Sequence, residues 1–264
     1  MVDWRRLWLK TEMKTKTNLF IALILFIALS SYAQEKKPNI LLISVDDLND
    51  WVGVYGGNPQ MKTPNIDKLA EKGMVFRNAS GPSTVCGPSR SALLSGFMPA
   101  NTGVYRNSQN MLHTKIVQEN ATMPEYFSKH GYVTISSGKI FHGHNTTNGL
   151  DYGQWAFDVW NLATGDYEIR EDKFFSRDKG IINGKKVEEP LFTEFYKTVF
   201  EFGPTKGDKE ETMDYRTAKW FEKKLQEDYD KPFFMFAGFS KPHMPWHVPQ
   251  EYFDMYERDS IKVP

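Results

Sequence analysis

The chain has 264 residues, 33 basic and 33 acidic side chains, and a formal net charge of zero. Those are the bulk values of a soluble protein, and without a basic excess they give no support to a nucleic-acid partner. The aromatic fraction of 14% fits a carbohydrate-facing cleft and a large core equally well.

The N-terminus reads as a targeting segment. Lys14 and Lys16 precede an apolar run, Leu19 to Leu29, that is short for a bilayer span. Ser31-Tyr32-Ala33 follows, with small residues at the two positions a signal peptidase reads. Residues 1–33 are therefore expected to be a signal peptide, with Gln34 the first mature residue and an uncleaved membrane anchor the alternative. Met13-Lys14-Thr15-Lys16 makes a better charged leader than the twelve residues before it, so Met13 is a candidate start. A secreted or periplasmic protein follows, with no membrane association after cleavage. One cysteine and no disulfide fits a bacterial source.

Past the leader, Pro38 to Val45 is a nearly continuous apolar run, the pattern of a strand buried on both faces of a parallel sheet. A glycine-rich loop (Gly53, Gly56, Gly57) leads to a helix capped at Thr63-Pro64-Asn65 and running to about Lys72, with Ile66, Leu69 and Ala70 expected to face inward. Met74-Val75-Phe76 is expected to be a short strand. A helix from Thr122 to Lys129 stops at Gly131, and the strand Tyr132 to Ser136 leads to Gly138-Lys139. From about 145 to 210 the pattern is irregular, an insertion of loops with one hairpin about Ile182-Asn183-Gly184-Lys185. A helix from Glu211 to Asp228 is expected to bury Ala218, Phe221 and Leu225. The strand Pro232 to Phe239 ends at Ser240-Lys241-Pro242-His243. Strand–helix–strand alternation specifies an α/β fold, a doubly wound and mostly parallel sheet with helices on both faces and functional loops at the strand C-termini.

The single cysteine lies in Cys86-Gly87-Pro88-Ser89-Arg90. It has no partner for an internal disulfide, so packing or chemistry must account for it. Pro88 suits the first turn of a helix that continues through Leu94, which puts Cys86 at a helix N-terminus, where free N–H groups favour an anion. Arg90, one turn on, can fork onto the same anion.

Three apolar strands each end in a polar cluster: Asp46-Asp47, then Lys139 with His142, then Lys241 with His243. A parallel sheet brings these tips to one edge, within reach of the long connection that carries Cys86. Adjacent carboxylates at a buried strand end repel unless something neutralises them. A hard divalent cation would do so, and oxygen ligands favour Ca²⁺ or Mg²⁺ over zinc. A solvent-facing loop pair is the plain alternative. Singly, Lys139 reads as a surface lysine, His142 as a satisfied loop histidine and Pro242-His243-Met244-Pro245 as a rigid turn; together, after three strands, they read as a site.

The order Asp46-Asp47, Cys86-x-Pro88-Ser89-Arg90, Gly138-Lys139 with His142, and Lys241-Pro242-His243 resembles the type I sulfatases of the alkaline-phosphatase superfamily. Gly138-Lys139-Ile140-Phe141-His142 and Lys241-Pro242-His243 most resemble the iduronate-2-sulfatase branch, and the likeness runs from about Lys37 to the last residue. The resemblance implies an alkaline-phosphatase-like fold. It implies that a formylglycine-generating or sulfatase-maturating enzyme oxidises Cys86 to formylglycine, whose hydrate is the nucleophile that takes sulfate from a sulfated sugar or glycan. Asp46, Asp47 and the modified Cys86 would hold Ca²⁺, with Mg²⁺ the lesser candidate. Arg90 and Lys139 would stabilise the hydrate and the sulfuryl group, His142 would deprotonate the second hydroxyl, and His243 would bind sulfate and protonate the leaving alcohol.

The resemblance is incomplete. Such enzymes carry a second metal-binding pair, Asp-His or Asp-Asn, and a further lysine beyond it, and this sequence contains neither dipeptide. The sheet is expected to be incomplete at the C-terminus, residues 34–264 forming the N-terminal portion of a catalytic domain with impaired activity. Two other readings stand beside this one: a phosphate or phosphonate ester hydrolase of the same superfamily, and a non-catalytic glycan-binding remnant. Nothing in the sequence names the glycan.

Overall fold

The structure, a computed structural model, describes residues 37–142, 157–161, 181–182, 185–186, 202–205, 208–244 and 246–262, together with Asn18. The chain divides into two units, Met1–Pro38 and Asn39–Pro264, and the sheet and its helices belong to the second. The expected signal peptide and most of the 145–210 insertion lie outside the described residues.

The elements run β1 (Ile40–Val45), α1 (Pro64–Ala70), α2 (Cys86–Ser95), α3 (Pro99–Thr102), α4 (Lys115–Gln118), α5 (Met123–Lys129), β2 (Val133–Gly138) and β3 (Val159–Asn161). They continue with β4 (Ile181–Ile182), β5 (Lys185–Lys186), β6 (Phe202–Pro204), α6 (Met213–Lys224), β7 (Phe233–Phe239), β8 (Trp246–Val248) and α7 (Gln250–Phe253). The main sheet has the order β1-β7-β2-β3, and every pair in it is parallel. Register aligns the strand ends, with Val45 opposite Phe239 and Gly138 opposite Gly238. The short β4 and β5 pair antiparallel, Ile182 opposite Lys185, as the hairpin reading expects. β6 and β8 form a separate parallel pair.

β7 is central and its five inner residues are buried. Period-two alternation sends Phe234 and Phe236 to one face, against Leu94 of α2, Val117 of α4 and Phe127 of α5. Met235 and Ala237 go to the other face, against Ile135 of β2 and Phe221 of α6. Helices thus cover both faces, the doubly wound arrangement read from the sequence. Each aromatic ring buried here stabilises by about 1.5–3 kcal/mol relative to exposure. Thr122 begins α5 with a capping box closed by Glu125, which fixes its start one residue before Met123.

Five local expectations are corrected. β1, read as buried on both faces, lies at the edge of the described sheet with Leu41 and Ile43 exposed. α1 buries none of its residues, and Ile66 and Leu69 are exposed. Met74–Phe76 forms no strand; it runs outside the sheet with Met74 and Phe76 largely exposed, and no described strand pairs with it. α6 buries Thr217, Phe221 and Lys224, while Ala218 and Leu225 are exposed. Thr217 passes close beneath the sheet at Gly138, and the Lys224 ammonium lies over the Trp220 ring, 5.5 Å from its centroid, and donates to Glu227. The strand after α5 starts at Val133 and runs on to Gly138, because β7 supplies partners along its whole length.

At the C-terminal ends of β2 and β7 the two main chains nearly touch. A Cβ on Gly238 would lie 1.9 Å from the Lys139 carbonyl oxygen, and one on Gly138, whose φ is +83°, would lie 2.0 Å from the Gly238 oxygen. Glycine is required on both counts. The Lys139 N–H donates to the Gly238 carbonyl at 2.8 Å, so this crossing sets where Lys139 leaves the sheet. Gly238→Ala is expected to lower unfolding free energy by about 3 kcal/mol, the upper end for overpacking. Gly73→Ala, where a Cβ meets only an ordinary 3.5 Å contact, is the matched control and should cost less than about 1 kcal/mol. Urea denaturation of the two variants checks this.

Candidate active site

The strand ends converge as the sequence predicts. Asp46 follows β1 directly and its N–H donates to the Phe239 carbonyl of β7 at 3.0 Å, so its side chain starts from a fixed backbone. It is only 6% exposed. Its Oδ1 accepts from Arg90 Nη2 at 2.8 Å and its Oδ2 from the Lys139 ammonium, both cations themselves buried. Burial by itself would raise the Asp46 carboxyl, but the charges of Lys139 and Arg90 prevail and hold it below the ordinary range. Arg90 spends its other nitrogen on main chain: Nη1 donates to the carbonyls of Lys139 at 2.6 Å and Ile140 at 2.9 Å. The guanidinium fork therefore lands on Asp46 and the end of β2, and ties α2 to both strand tips.

Asp47 behaves differently. It sits at φ +59°, the left-handed region, which aspartate tolerates better than most residues. That turn of the backbone sends two adjacent carboxylates apart: Asp46 inward onto its cations, Asp47 outward with its side chain 56% exposed. Asp47 Oδ2 lies 3.8 Å from His243 Nε2. The repulsion expected between neighbouring acids is thus relieved by divergence and by two buried cations of the chain itself.

Cys86 opens α2, with Pro88 in the first turn and Arg90 one turn on. The thiol is half-buried and hydrogen-bonded by His142 and His243. Burial pushes it up, yet those two bonds and the charges of His142 and Lys139 more than offset this and hold it at about 5. His243 is raised in turn, first by its bond to Cys86 and further by the Met244 carbonyl, against burial and the Lys139 charge. Since a carbonyl only accepts, the Nδ1 facing Met244 carries hydrogen, and Nε2 is the nitrogen nearest Asp47. All seven side chains singled out in the sequence, Asp46, Asp47, Cys86, Arg90, Lys139, His142 and His243, therefore stand at one edge of the sheet.

Asn107 joins them without warning from the sequence, where it sits in a polar stretch lacking any period. Its Oδ1 accepts the Gly87 N–H at 2.7 Å and its Nδ2 lies 3.4 Å from the Cys86 sulfur. A Cβ on residue 87 would meet that Oδ1 at 2.8 Å, which explains glycine in the second position of the motif.

Among the described residues no group of three or more His, Cys, Asp or Glu could hold a metal ion. Both oxygens of Asp46 are already engaged, and Ca²⁺ takes six to eight oxygens. The described donors alone do not make a complete divalent-cation centre.

The profile of the Sulfatase family matches residues 38–262, so the chain belongs to the sulfatase family. It is 31% identical over 264 residues to a sulfatase of Formosa agariphila, covering 96% of this chain and 49% of that protein. It is 35% identical over 244 residues to iduronate 2-sulfatase of Mus musculus, covering 90% of this chain and 41% of that one. The chain spans about half the length, or less, of these curated relatives. Among solved structures, BT4656 in complex with its substrate D-glucosamine-2-N,6-O-disulfate matches with a TM-score of 0.57 at 24% identity, over 87% of this chain and 39% of that one. At that identity the likeness concerns the fold.

Two outcomes test the electrostatics. Asp46→Asn leaves Arg90 and Lys139 buried without their counter-charge and should cost about 3–5 kcal/mol in urea unfolding, while Asp47→Asn should stay within about 0.5 kcal/mol. The thiolate fraction rises with pH through the Cys86 value of about 5, so iodoacetamide alkylation should reach its plateau by pH 7. A rate that keeps climbing tenfold per pH unit up to about pH 8.5, the ordinary thiol value, would contradict the site geometry.

Proposed function

We propose that this chain is the N-terminal part of a sulfuric ester hydrolase that removes sulfate from a sulfated sugar or glycan, with residue 86 as its reacting centre. One observation carries the reading: the solitary thiol opens α2 at the sheet edge that also holds His142, His243 and the Arg90–Asp46–Lys139 cluster. Family membership supports the reaction class, and the relatives' names support a sugar sulfate as substrate class.

A thiol is a poor agent for this chemistry, and conversion of Cys86 to formylglycine by a maturation enzyme would supply a hydrated aldehyde oxygen as nucleophile. The side chains around it have separable tasks. Lys139 and Arg90 supply positive charge close to where sulfate oxygens would lie, a preorganised field that costs no rearrangement. His142 is within hydrogen-bond reach of residue 86 and is the group to take a proton from it. His243, raised and fixed through Nδ1, is suited to hold a proton for the leaving alcohol. A sugar alkoxide leaves poorly without one.

Among the described residues, Asp46 and Asp47 are the carboxylates that would face Ca²⁺, and by themselves they are too few to bind it tightly. No step is assigned to the ion. Titration calorimetry should show Ca²⁺ binding no tighter than about millimolar, the weak end of protein calcium sites. The leader supports a secreted or periplasmic protein, and no helix among the described residues is long and apolar enough to cross a membrane.

Mass spectrometry of the Cys86 peptide, from a host with maturation machinery, tests the reading directly. The expected product is the aldehyde, together with slow release of sulfate from a sulfated monosaccharide. A thiol that persists under those conditions would favour a phosphate or phosphonate ester hydrolase. Binding of the sulfated sugar without turnover would favour a glycan-binding remnant.

A further inference from the structure

We propose that Asp214 is a positioning residue for His243: from the first turn of α6 it holds the turn after β7 that delivers this histidine to Cys86. The role rests on the reading above, in which His243 acts at residue 86. Its two carboxylate oxygens are used separately, Oδ1 accepting the Ser240 N–H at 2.7 Å and Oδ2 the Lys241 N–H at 2.8 Å. The same turn then closes on His243 from both sides of its peptide. The His243 N–H donates to the Ser240 carbonyl at 3.0 Å, and the Lys241 ammonium donates to the His243 carbonyl at 3.1 Å. Every described main-chain tie on His243 therefore runs through the two residues that Asp214 grips.

The helix has no need of this aspartate as a cap. Thr212 already fills that position, its hydroxyl accepting the Tyr215 N–H at 3.4 Å. Burial raises the Asp214 carboxyl above its ordinary range, against the pull of the two amides and the Lys241 charge. An acid kept at that cost, with both oxygens aimed out of its own helix, is there for what it holds. What it holds is a turn with no apolar anchor: Ser240, Lys241 and His243 are only part-buried, and Met244 is exposed.

The chain contains one cysteine and six histidines, so selective labelling of these types gives a sparse spectrum. The experiment is NMR on the unconverted thiol form, which involves no turnover and stands whether or not Cys86 is ever oxidised. Failure of the positioning role is therefore read apart from failure of the sulfatase reading, which the mass of the Cys86 peptide decides. In the unmutated chain the Ser240 and Lys241 amides should exchange slowly; exchange as fast as at Met244 overturns the proposal. Asp214→Asn, which retains only one acceptor oxygen, should speed exchange at one or both amides by roughly 10–100-fold, the effect of losing a hydrogen bond to a charged group. The positional readout is the nuclear Overhauser contact between the His243 ring and Cys86 Hβ. It should vanish in Asp214→Asn while the His142–Cys86 contact remains. Survival of both contacts, or loss of both together, would make Asp214 merely structural and overturn the assignment. If the variant does not fold, the exchange rates of the unmutated chain decide.

Discussion

The candidate site depends on the buried pairing of Asp46 with Arg90 and Lys139. It joins three pieces of chain that are distant in sequence: the end of β1, the second turn of α2 and the end of β2. An anion with two cations in a poorly solvated setting is stable only while all three are present, because any one left alone keeps its desolvation cost. The triad consequently does two jobs. It locks α2 onto the strand tips, which sets the position of Cys86, and it leaves a net positive field beside the sulfur.

The neighbouring groups are governed first by their hydrogen bonds to one another, and the Lys139 charge adds to one shift and opposes the other. A thiol near 5 and a histidine above its usual value are two faces of one hydrogen-bonded pair, each favouring the charged form of the other. Lys139 lowers the thiol and also opposes the His243 charge, so the lysine tunes the pair as well as anchoring Asp46. Asp47 lies on the open side, near His243, where it can meet solvent or a ligand.

Much of this was legible in the sequence, for physical reasons that differ by element. The apolar run Phe233–Phe239 announces a parallel strand buried on both faces, whereas the equally apolar Ile40–Val45 lies at the edge of the described sheet and leaves Leu41 and Ile43 exposed. Once those strands are parallel, Asp46, Lys139 and His243 must share an edge. Gly87-Pro88 announced the helix start. What stayed hidden depends on three-dimensional neighbours. Asp46 and Asp47 look equivalent, and only a left-handed φ separates them. Arg90 reads as an anion ligand but spends its donors on Asp46 and two carbonyls. Lys224 carries no sign of burial in the sequence, although it is buried on α6 with its ammonium over Trp220, and Met74–Phe76 reads as a strand although no described strand pairs with it. Asn107 and Asp214 act through main-chain amides, which leave no pattern in side-chain chemistry.

The glycine pair at positions 138 and 238 has a wider consequence. Where two main chains press together with no side chain between them, the geometry at that point is set by peptide dimensions alone. Core residues elsewhere can change size or be exchanged for others, and the origin of the Lys139 side chain stays put, because no packing interface transmits the change to it. The arrangement is robust to drift everywhere except at two atoms' worth of empty space.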